Sequence, residues 1–195
     1  MSAEATTLRS AALPHAGRLV DALLVVAGAG LIAASAQIAI PLPFTPVPIT
    51  GQTFSVLLVG AALGTTRGGA SGLLYVLAGA LGAPVYAEGS GGLAALTGPT
   101  GGYLLAFPVA AALTGRLAER RWDRRFSSSL GALLTGNVVV YLIGLPWLAV
   151  SLDTSLERTL ELGLYPFVPG DVLKLYLAAV TLPAAWRVVG SRTRR

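Results

Sequence analysis

Residues 22–66 read ALLVVAGAGLIAASAQIAIPLPFTPVPITGQTFSVLLVGAALGTT and contain no charged side chain. At a helical rise of about 1.5 Å per residue, this run is long enough to cross a hydrocarbon core of about 30 Å twice. A cluster of prolines divides it into two halves: Pro41, Pro43, Pro46 and Pro48. The run therefore predicts two transmembrane helices joined by a proline-rich turn.

The composition of the whole chain extends this prediction. Hydrophobic residues make up 54% of the 195 positions and charged residues only 12%, whereas soluble proteins carry about 25% charged residues. An integral membrane protein of this length has room for roughly six passes and for no additional soluble domain. The absence of cysteine excludes disulfides, thiolate metal sites and cysteine nucleophiles, and a single histidine, His15, leaves little histidine chemistry. We predict no metal site, no cofactor and no enzyme activity.

Charge-free stretches give the boundaries of the predicted helices. We predict an all-α fold, an integral membrane bundle of six transmembrane helices that forms a single membrane domain over residues 1–195. A glycine-rich connector over residues 83–99 carries one charged residue, Glu88. The predicted spans are residues 19–40, 51–64, 69–82, 100–117, 126–150 and 168–186.

The distribution of basic residues predicts the orientation, because short loops rich in Lys and Arg remain in the cytoplasm. With six passes, twelve of the fourteen basic residues lie on one side: Arg9, Arg18, Arg67, Arg116, Arg120, Arg121, Arg124, Arg125, Arg187, Arg192, Arg194 and Arg195. The other side holds Arg158 with the acids Glu88, Asp153, Glu157 and Glu161. Both termini are therefore predicted to be cytoplasmic, and the excess of arginine does not indicate a nucleic-acid partner.

Asp171 and the only lysine, Lys174, lie in the segment PGDVLK at the predicted outer start of helix six. A spacing of three residues places both side chains on one helical face, where one ligand can meet an acceptor and a donor together. A simpler alternative is that Asp171 caps the helix and Lys174 neutralises it. Since a charge inside a bilayer costs about 2.5–3.5 kcal/mol and usually serves a function, we interpret the pair as a ligand site.

Three segments resemble the BioY family, the biotin-specific S components of energy-coupling factor (ECF) transporters. They are IPLPFTPVPITGQTFSVLL (Ile40 to Leu58), GSGGLAALTGPTGGYLLAFP (Gly89 to Pro108) and PFVPGDVLKLYLA (Pro166 to Ala178). The resemblance implies a six-helix membrane protein that captures biotin at the outer face, where loops close over the vitamin, and then delivers it inward. It also implies a multi-pass location in the bacterial cell (inner) membrane.

The resemblance further implies that Asp171 and Lys174 contact biotin. Asp171 suits the ureido N–H groups, whereas Lys174 suits either the ureido carbonyl or the carboxylate of the tail. Other polar contacts come from the connector region, for which this chain offers Tyr86, Glu88 and Tyr103. Here the chain departs from some relatives that carry an amide and an arginine, and an ordinary solvated loop acid is the alternative for Glu88. Tyr75, Tyr141 and Trp147 are further aromatic candidates for the pocket wall.

Transport against a gradient requires a source of energy, and the sequence offers none. A Walker A motif needs Gly-Lys-Ser/Thr, yet the only lysine follows Leu173. The family resemblance implies the missing partners: an ECF transmembrane coupling protein and two cytoplasmic ATPases. We expect Ala29 and Ala33, four residues apart in helix one, to form the docking face for the coupling protein. The alternative is that these alanines pack inside the bundle.

Two other functions have partial support in the sequence. Gly69-Ala70-Ser71-Gly72 matches the GxSG of rhomboid-type proteases, but a nucleophilic serine needs a histidine base on a neighbouring helix, and His15 precedes helix one. A stand-alone secondary transporter or channel for a small solute is the stronger alternative. Such folds often contain internal repeats, of which this sequence shows no clear example.

Overall fold

A helix lies at each of the six predicted spans in the computed structural model, which describes residues 6–15 and 17–192. The helices are, in chain order, α1 Leu8–Ala12, α2 Arg18–Ala36, α3 Gln52–Leu63, α4 Thr65–Ala80, α5 Leu93–Thr97, α6 Gly101–Glu119, α7 Phe126–Leu152, α8 Leu156–Gly163 and α9 Val168–Arg192. Those at the six predicted spans are α2, α3, α4, α6, α7 and α9. By length and hydropathy, α2, α6, α7 and α9 are able to cross a membrane, and α3 is a shorter apolar helix. The count of six crossings and their orientation remain predictions.

The proline-rich turn forms a β-hairpin, a short addition to a mostly helical bundle, and α2 ends at Ala36 rather than at the predicted Ile40. Strand β1 covers Ala39–Leu42 and pairs antiparallel with β2, Thr45–Thr50, through Ala39 opposite Thr50. Four residues in this stretch directly precede a proline, which disfavours helical backbone and favours extended backbone: Ile40, Leu42, Thr45 and Val47. The proline spacing therefore stops α2 and extends the chain.

Short helices that the sequence analysis did not predict occupy the connections. α1 begins after Thr7, whose hydroxyl accepts a hydrogen bond from the backbone N–H of Ser10. The connector contains a 3₁₀ turn at Ala87–Gly89 and then α5. α8 begins after Ser155, whose side chain caps it in the same way. These caps satisfy N–H groups that the first helical turn leaves unpaired.

α3 and α4 are joined by Gly64 alone, and this tight turn packs against the end of α6. Gly64 has a φ of +87°, a left-handed value that glycine adopts without a steric cost. The carboxylate of Glu119 accepts hydrogen bonds from the backbone N–H and the hydroxyl of Thr65, both at 2.8 Å. Glu119 therefore caps α4, and its negative charge lies at the favourable end of the helix dipole.

Small residues allow the central helices to come close together. A side chain at Gly60 of α3 would overlap the backbone of Ala111 in α6, and one at Gly72 of α4 would overlap Pro108. The outward faces carry large apolar side chains, among them Leu142 at 67% exposed and Val150 at 84%. This arrangement is typical of membrane bundles, in which small residues pack the helices together and the apolar exterior meets lipid.

Basic residues collect at the end of the bundle opposite the predicted outer face. Asp21 bridges Arg9 of α1 and Arg67 of α4. In the loop between α6 and α7, the buried Asp123 accepts a hydrogen bond from the indole of Trp186 at 2.5 Å, and burial raises the pKa of the Asp123 carboxyl. Among the arginines predicted to be cytoplasmic, Arg194 and Arg195 lie outside the described residues.

Candidate functional site

A cavity opens at the other end of the bundle, between the hairpin, the connector and the ends of α3, α6, α7 and α9. Its volume is about 200 Å³, which is room for a small organic molecule, since a water molecule takes about 30 Å³ in the liquid. Its walls combine apolar and aromatic side chains with several polar ones, a mixture that can both enclose and orient a small molecule. The lining includes Pro46, Val47, Pro48, Leu104, Phe107, Val140 and Phe167, the polar Thr50, Gln52, Thr53 and Ser90, and the predicted residues Tyr86, Glu88, Tyr103, Asp171 and Lys174.

Asp171 is a buried carboxylate, with only 6% of the residue exposed. Its Oδ2 atom accepts hydrogen bonds from Asn137 Nδ2 at 3.1 Å and from the Tyr141 hydroxyl at 2.5 Å. Asp171 is the fourth residue of α9, one turn beyond the position of a helix cap. Its carboxylate is therefore directed toward α7, and the geometry does not support the capping alternative.

Lys174 lies one turn further along α9 and forms an ion pair with Asp171. Lys174 Nζ donates to Asp171 Oδ1 at 3.1 Å and to Thr53 Oγ1 of α3 at 3.2 Å. An ammonium group has three N–H donors and a carboxylate has about four acceptor positions. Among the described residues, the pair therefore keeps one N–H of Lys174 and one acceptor position of Asp171 without a protein partner, and both residues line the cavity.

The connector that covers the cavity is held by the side chain of Gln37, which follows α2. Gln37 Nε2 donates to the carbonyl oxygen of Tyr86 at 3.1 Å, and Gln37 Oε1 accepts from the Gly89 N–H at 3.1 Å. Between these two contacts Glu88 has a φ of +58°. The Glu88 side chain is exposed at the cavity and forms no ion pair with any residue of 6–15 and 17–192. Glu88 is therefore accessible to a ligand, and its contact with the ligand stays a prediction.

Tyr86 is buried against α4 in a space that Gly79 leaves open. The ring of Tyr86 stacks edge-on with Tyr75 at 5.5 Å between centroids, and its hydroxyl donates to the carbonyl oxygen of Val76 at 2.6 Å. Burial raises the pKa of the Tyr86 phenol. Tyr86 lines the cavity but is only 2% exposed, and its hydroxyl is already bonded to protein.

We predict that Gly79→Ala destabilises the connector, because a methyl group at this position would overlap the Tyr86 ring. Overpacking of this kind costs about 1–3 kcal/mol. The variant should unfold at a lower temperature in detergent and bind its ligand more weakly than the wild type. Gly30→Ala is the matched control, since a side chain at Gly30 meets no atom within 4 Å. Equal unfolding temperatures of the two variants would contradict this packing.

The other aromatic candidates have different roles. Tyr103 and Tyr141 both line the cavity and stack edge-on at 6.3 Å, and the Tyr103 hydroxyl donates to the Gly163 carbonyl oxygen at 3.0 Å. Tyr75 lies behind the wall and accepts a hydrogen bond from Gln52. Trp147 is outside the lining and donates to the Gly98 carbonyl oxygen at 2.9 Å. Of the three additional aromatic candidates, only Tyr141 faces the cavity.

The two alanines of the predicted docking face differ in burial. Ala29 is 8% exposed and belongs to the core, next to Gly28, which packs on Ser71 of α4. Ala33 is only partly buried. The burial of Ala29 fits the alternative of internal packing, and its docking role stays a prediction. A docking role for Ala33 remains a prediction.

Sequence reasoning missed Asn137, Gln37 and Thr53, which hold the site together. A signal was present for the first: Asn137 is a polar residue in an apolar helix, four residues before Tyr141 and on the same helical face. No comparable signal marks Gln37 or Thr53, because their partners are far away in the sequence.

Comparison with known proteins gives a consistent set of relatives. The chain matches the model of the BioY family over residues 6–191. It is 41% identical to the "Probable biotin transporter BioY" of Pyrococcus horikoshii over 157 residues, which are 80% of this chain and 90% of that protein. It is 37% identical to the "Biotin transporter BioY" of Rhizobium etli over 148 residues, 72% of this chain and 79% of that protein. These names describe transporters, which confirms the prediction that the chain is not an enzyme.

Among solved structures, the fold is similar to a crystal structure of the S-component for biotin from an ECF-type ABC transporter. The TM-score is 0.79 at 27% sequence identity, and the match covers 87% of this chain and 92% of that chain. The similarity therefore includes the bundle as a whole.

Proposed function

We propose, because the chain belongs to the BioY family, that it is a substrate-binding membrane subunit that takes up biotin. The observation that carries the proposal is the Asp171–Lys174 pair at the cavity, with one acceptor position and one N–H donor left for a ligand. Biotin matches this pair because its ureido ring presents an N–H donor next to a carbonyl acceptor. Its thiophane ring and aliphatic tail suit the apolar walls.

The hydrogen bonds of Asp171 and Lys174 support an assignment of one ureido group of biotin to each of the two side chains. A ureido N–H donates to Asp171 Oδ1, and the free N–H of Lys174 donates to the ureido carbonyl oxygen. Lys174 Nζ and Asp171 Oδ1 are 3.1 Å apart, and the N–H and carbonyl of a ureido ring are also neighbours; this supports the carbonyl over the distant carboxylate as the partner of Lys174. Hydrogen bonds to charged groups contribute about 1.5–3 kcal/mol each, so the pair supplies much of the affinity.

The distribution of charges supports an orientation. Loops rich in arginine remain in the cytoplasm, and the arginines Arg67, Arg116, Arg120 and Arg187 lie at the end opposite the cavity. In our proposal the six helices cross the cell membrane, the inner membrane where there are two, with both termini in the cytoplasm. The cavity then opens outward and captures biotin there.

Delivery to the cytoplasm requires partners in this proposal. The chain has no Walker A motif, and the similar solved structure is named as a component of an ECF-type ABC transporter. We therefore propose that an ECF transmembrane coupling protein and two cytoplasmic ATPases drive the inward step. In this proposal Ala29 and Ala33 of α2 lie at the contact with the coupling protein.

The proposal is tested by titrating the purified protein in detergent with biotin, and with thiamine and riboflavin as control vitamins. Biotin should bind saturably with one site per chain, and the two controls should not compete. Binding of thiamine or riboflavin in place of biotin would contradict the proposed substrate.

The negative charge of Glu88 should weaken the binding of biotin. Its exposed carboxylate lies at the cavity, and biotin carries a carboxylate of its own at the end of the tail. Removing the repulsion by Glu88→Gln should strengthen biotin binding by about twofold at low salt, and the gain should vanish at high salt. Glu157→Gln removes an exposed acid of α8 outside the lining and serves as the control. Weaker binding by Glu88→Gln would instead indicate a direct hydrogen bond from the ligand to this carboxylate.

A further inference from the structure

We propose that Asn137 and Tyr141 of α7 are positioning residues that select which oxygen of Asp171 meets the ligand. They occupy Oδ2, so that Oδ1, next to Lys174, is left for the ligand. This inference rests on the proposed function, since it concerns how the same site orients biotin.

The geometry of α7 is suited to this role. Asn137 and Tyr141 are four residues apart on one helical face, and both donate to the same oxygen, at 3.1 Å and 2.5 Å. A carboxylate oxygen accepts about two hydrogen bonds, so Oδ2 has no acceptor position left. A third donor, Lys174, takes one position on Oδ1. Within the described part of the chain, the acceptor that remains for a ligand is therefore on Oδ1.

The surroundings of Oδ2 explain why the two donors matter. Asp171 also borders a second, small space, which is lined by the polar Thr53, Asn137 and Lys174 and by apolar side chains of α3 and α9: Phe54, Leu57, Leu175 and Ala178. Because Asp171 is only 6% exposed, an oxygen of its carboxylate that lost its donors would carry the cost of an unpaired buried charge. Without Asn137 and Tyr141 to hold Oδ2, we expect the carboxylate to rotate and lose the orientation that leaves Oδ1 for the ligand.

The test is a double-mutant cycle on biotin binding by the full chain, with Tyr141→Phe, Asp171→Asn and the two combined. Tyr141→Phe should weaken biotin binding by about tenfold in the wild-type background, in line with one lost hydrogen bond to a charged group. In the Asp171→Asn background it should change the affinity by less than about twofold, because interacting residues are not additive.

Tyr103→Phe is the matched control, because it removes a hydroxyl from the same cavity without a bond to Asp171. Its effect, whatever its size, should be additive with Asp171→Asn. Asn137→Leu also removes a donor to Oδ2 and should show the same coupling with Asp171→Asn. If Tyr141→Phe does not fold, Asn137→Leu provides the test in its place.

Three outcomes are distinguishable. Coupling of Tyr141 and Asn137, but not Tyr103, with Asp171 supports the proposal. Wild-type affinity in Tyr141→Phe and Asn137→Leu, or effects that add to that of Asp171→Asn, would overturn it while leaving biotin binding intact. A wild-type protein that binds no biotin would overturn the proposed function, and the positioning role with it.

Discussion

Lys174→Ala is expected to weaken biotin binding by at least about 30-fold, which corresponds to about 2 kcal/mol. Lys174 Nζ holds Asp171 and Thr53, and its remaining N–H is the donor that we assign to the ureido carbonyl. Its removal deletes that donor and also leaves the buried carboxylate of Asp171 without its counter-charge. Asp171→Asn should lower the affinity similarly, because it removes the charge that the ureido N–H meets.

Arg158→Ala is the control for these variants. Arg158 is a cation at the same end of the molecule, but it is 55% exposed and pairs with Glu161 outside the cavity. All three variants should insert into the membrane and elute as the wild type does in size-exclusion chromatography. Wild-type affinity in both Lys174→Ala and Asp171→Asn would show that the pair has a purely structural role.

Proteoliposomes that contain this chain alone should not accumulate biotin above its external concentration. The sequence lacks a nucleotide-binding motif, so in our proposal the chain has no energy source of its own. Addition of the coupling protein and the two ATPases, with Mg-ATP inside the vesicles on the ATPase side, should produce uptake against the gradient. The measurement is the accumulation of labelled biotin over time.

An ATPase variant that binds but does not hydrolyse ATP is the control, and it should abolish the uptake. Accumulation by the chain alone, in the absence of ATP, would favour a secondary transporter. Lys174→Ala should lose uptake in the complete system as well, which connects transport to the proposed site.

The helices of the bundle could be predicted because the sequence separates its charges so cleanly. The charge-free run of residues 22–66 contains α3 and all but the first turn of α2, and α7 lies within two residues of its predicted span. The hairpin was missed because the prolines were interpreted as a simple boundary. Four X-Pro pairs in ten residues are themselves a signal for extended chain, and this signal was available in the sequence.

The short helix α8 was missed for a different reason. Its sequence LERTLELG is polar enough to resemble a loop, although Ser155 caps its start and its leucines recur at helical spacing. In the structure α8 closes one side of the cavity region, since the Leu162 carbonyl oxygen accepts a hydrogen bond from Thr45 of the hairpin at 2.7 Å. Amphipathic helices of this length are easily overlooked when only apolar runs are sought.

The candidate site could be predicted in part. The spacing of Asp171 and Lys174 placed them on one face, and both line the cavity. The donors that hold Asp171 come from Asn137 and Tyr141, which are 34 and 30 residues earlier in the chain. Contacts of this range depend on how α7 packs against α9, which no local pattern specifies. The burial of Ala29 likewise depends on the rotation of α2 within the bundle.

A structure of the protein with biotin bound tests the central claim most directly. We expect the ureido ring in the cavity, with an N–H within hydrogen-bonding distance of Asp171 Oδ1 and the carbonyl oxygen within the same distance of Lys174 Nζ. The tail should extend between the apolar walls toward the connector. Biotin bound elsewhere, or in this cavity without contact to either side chain, would contradict the account.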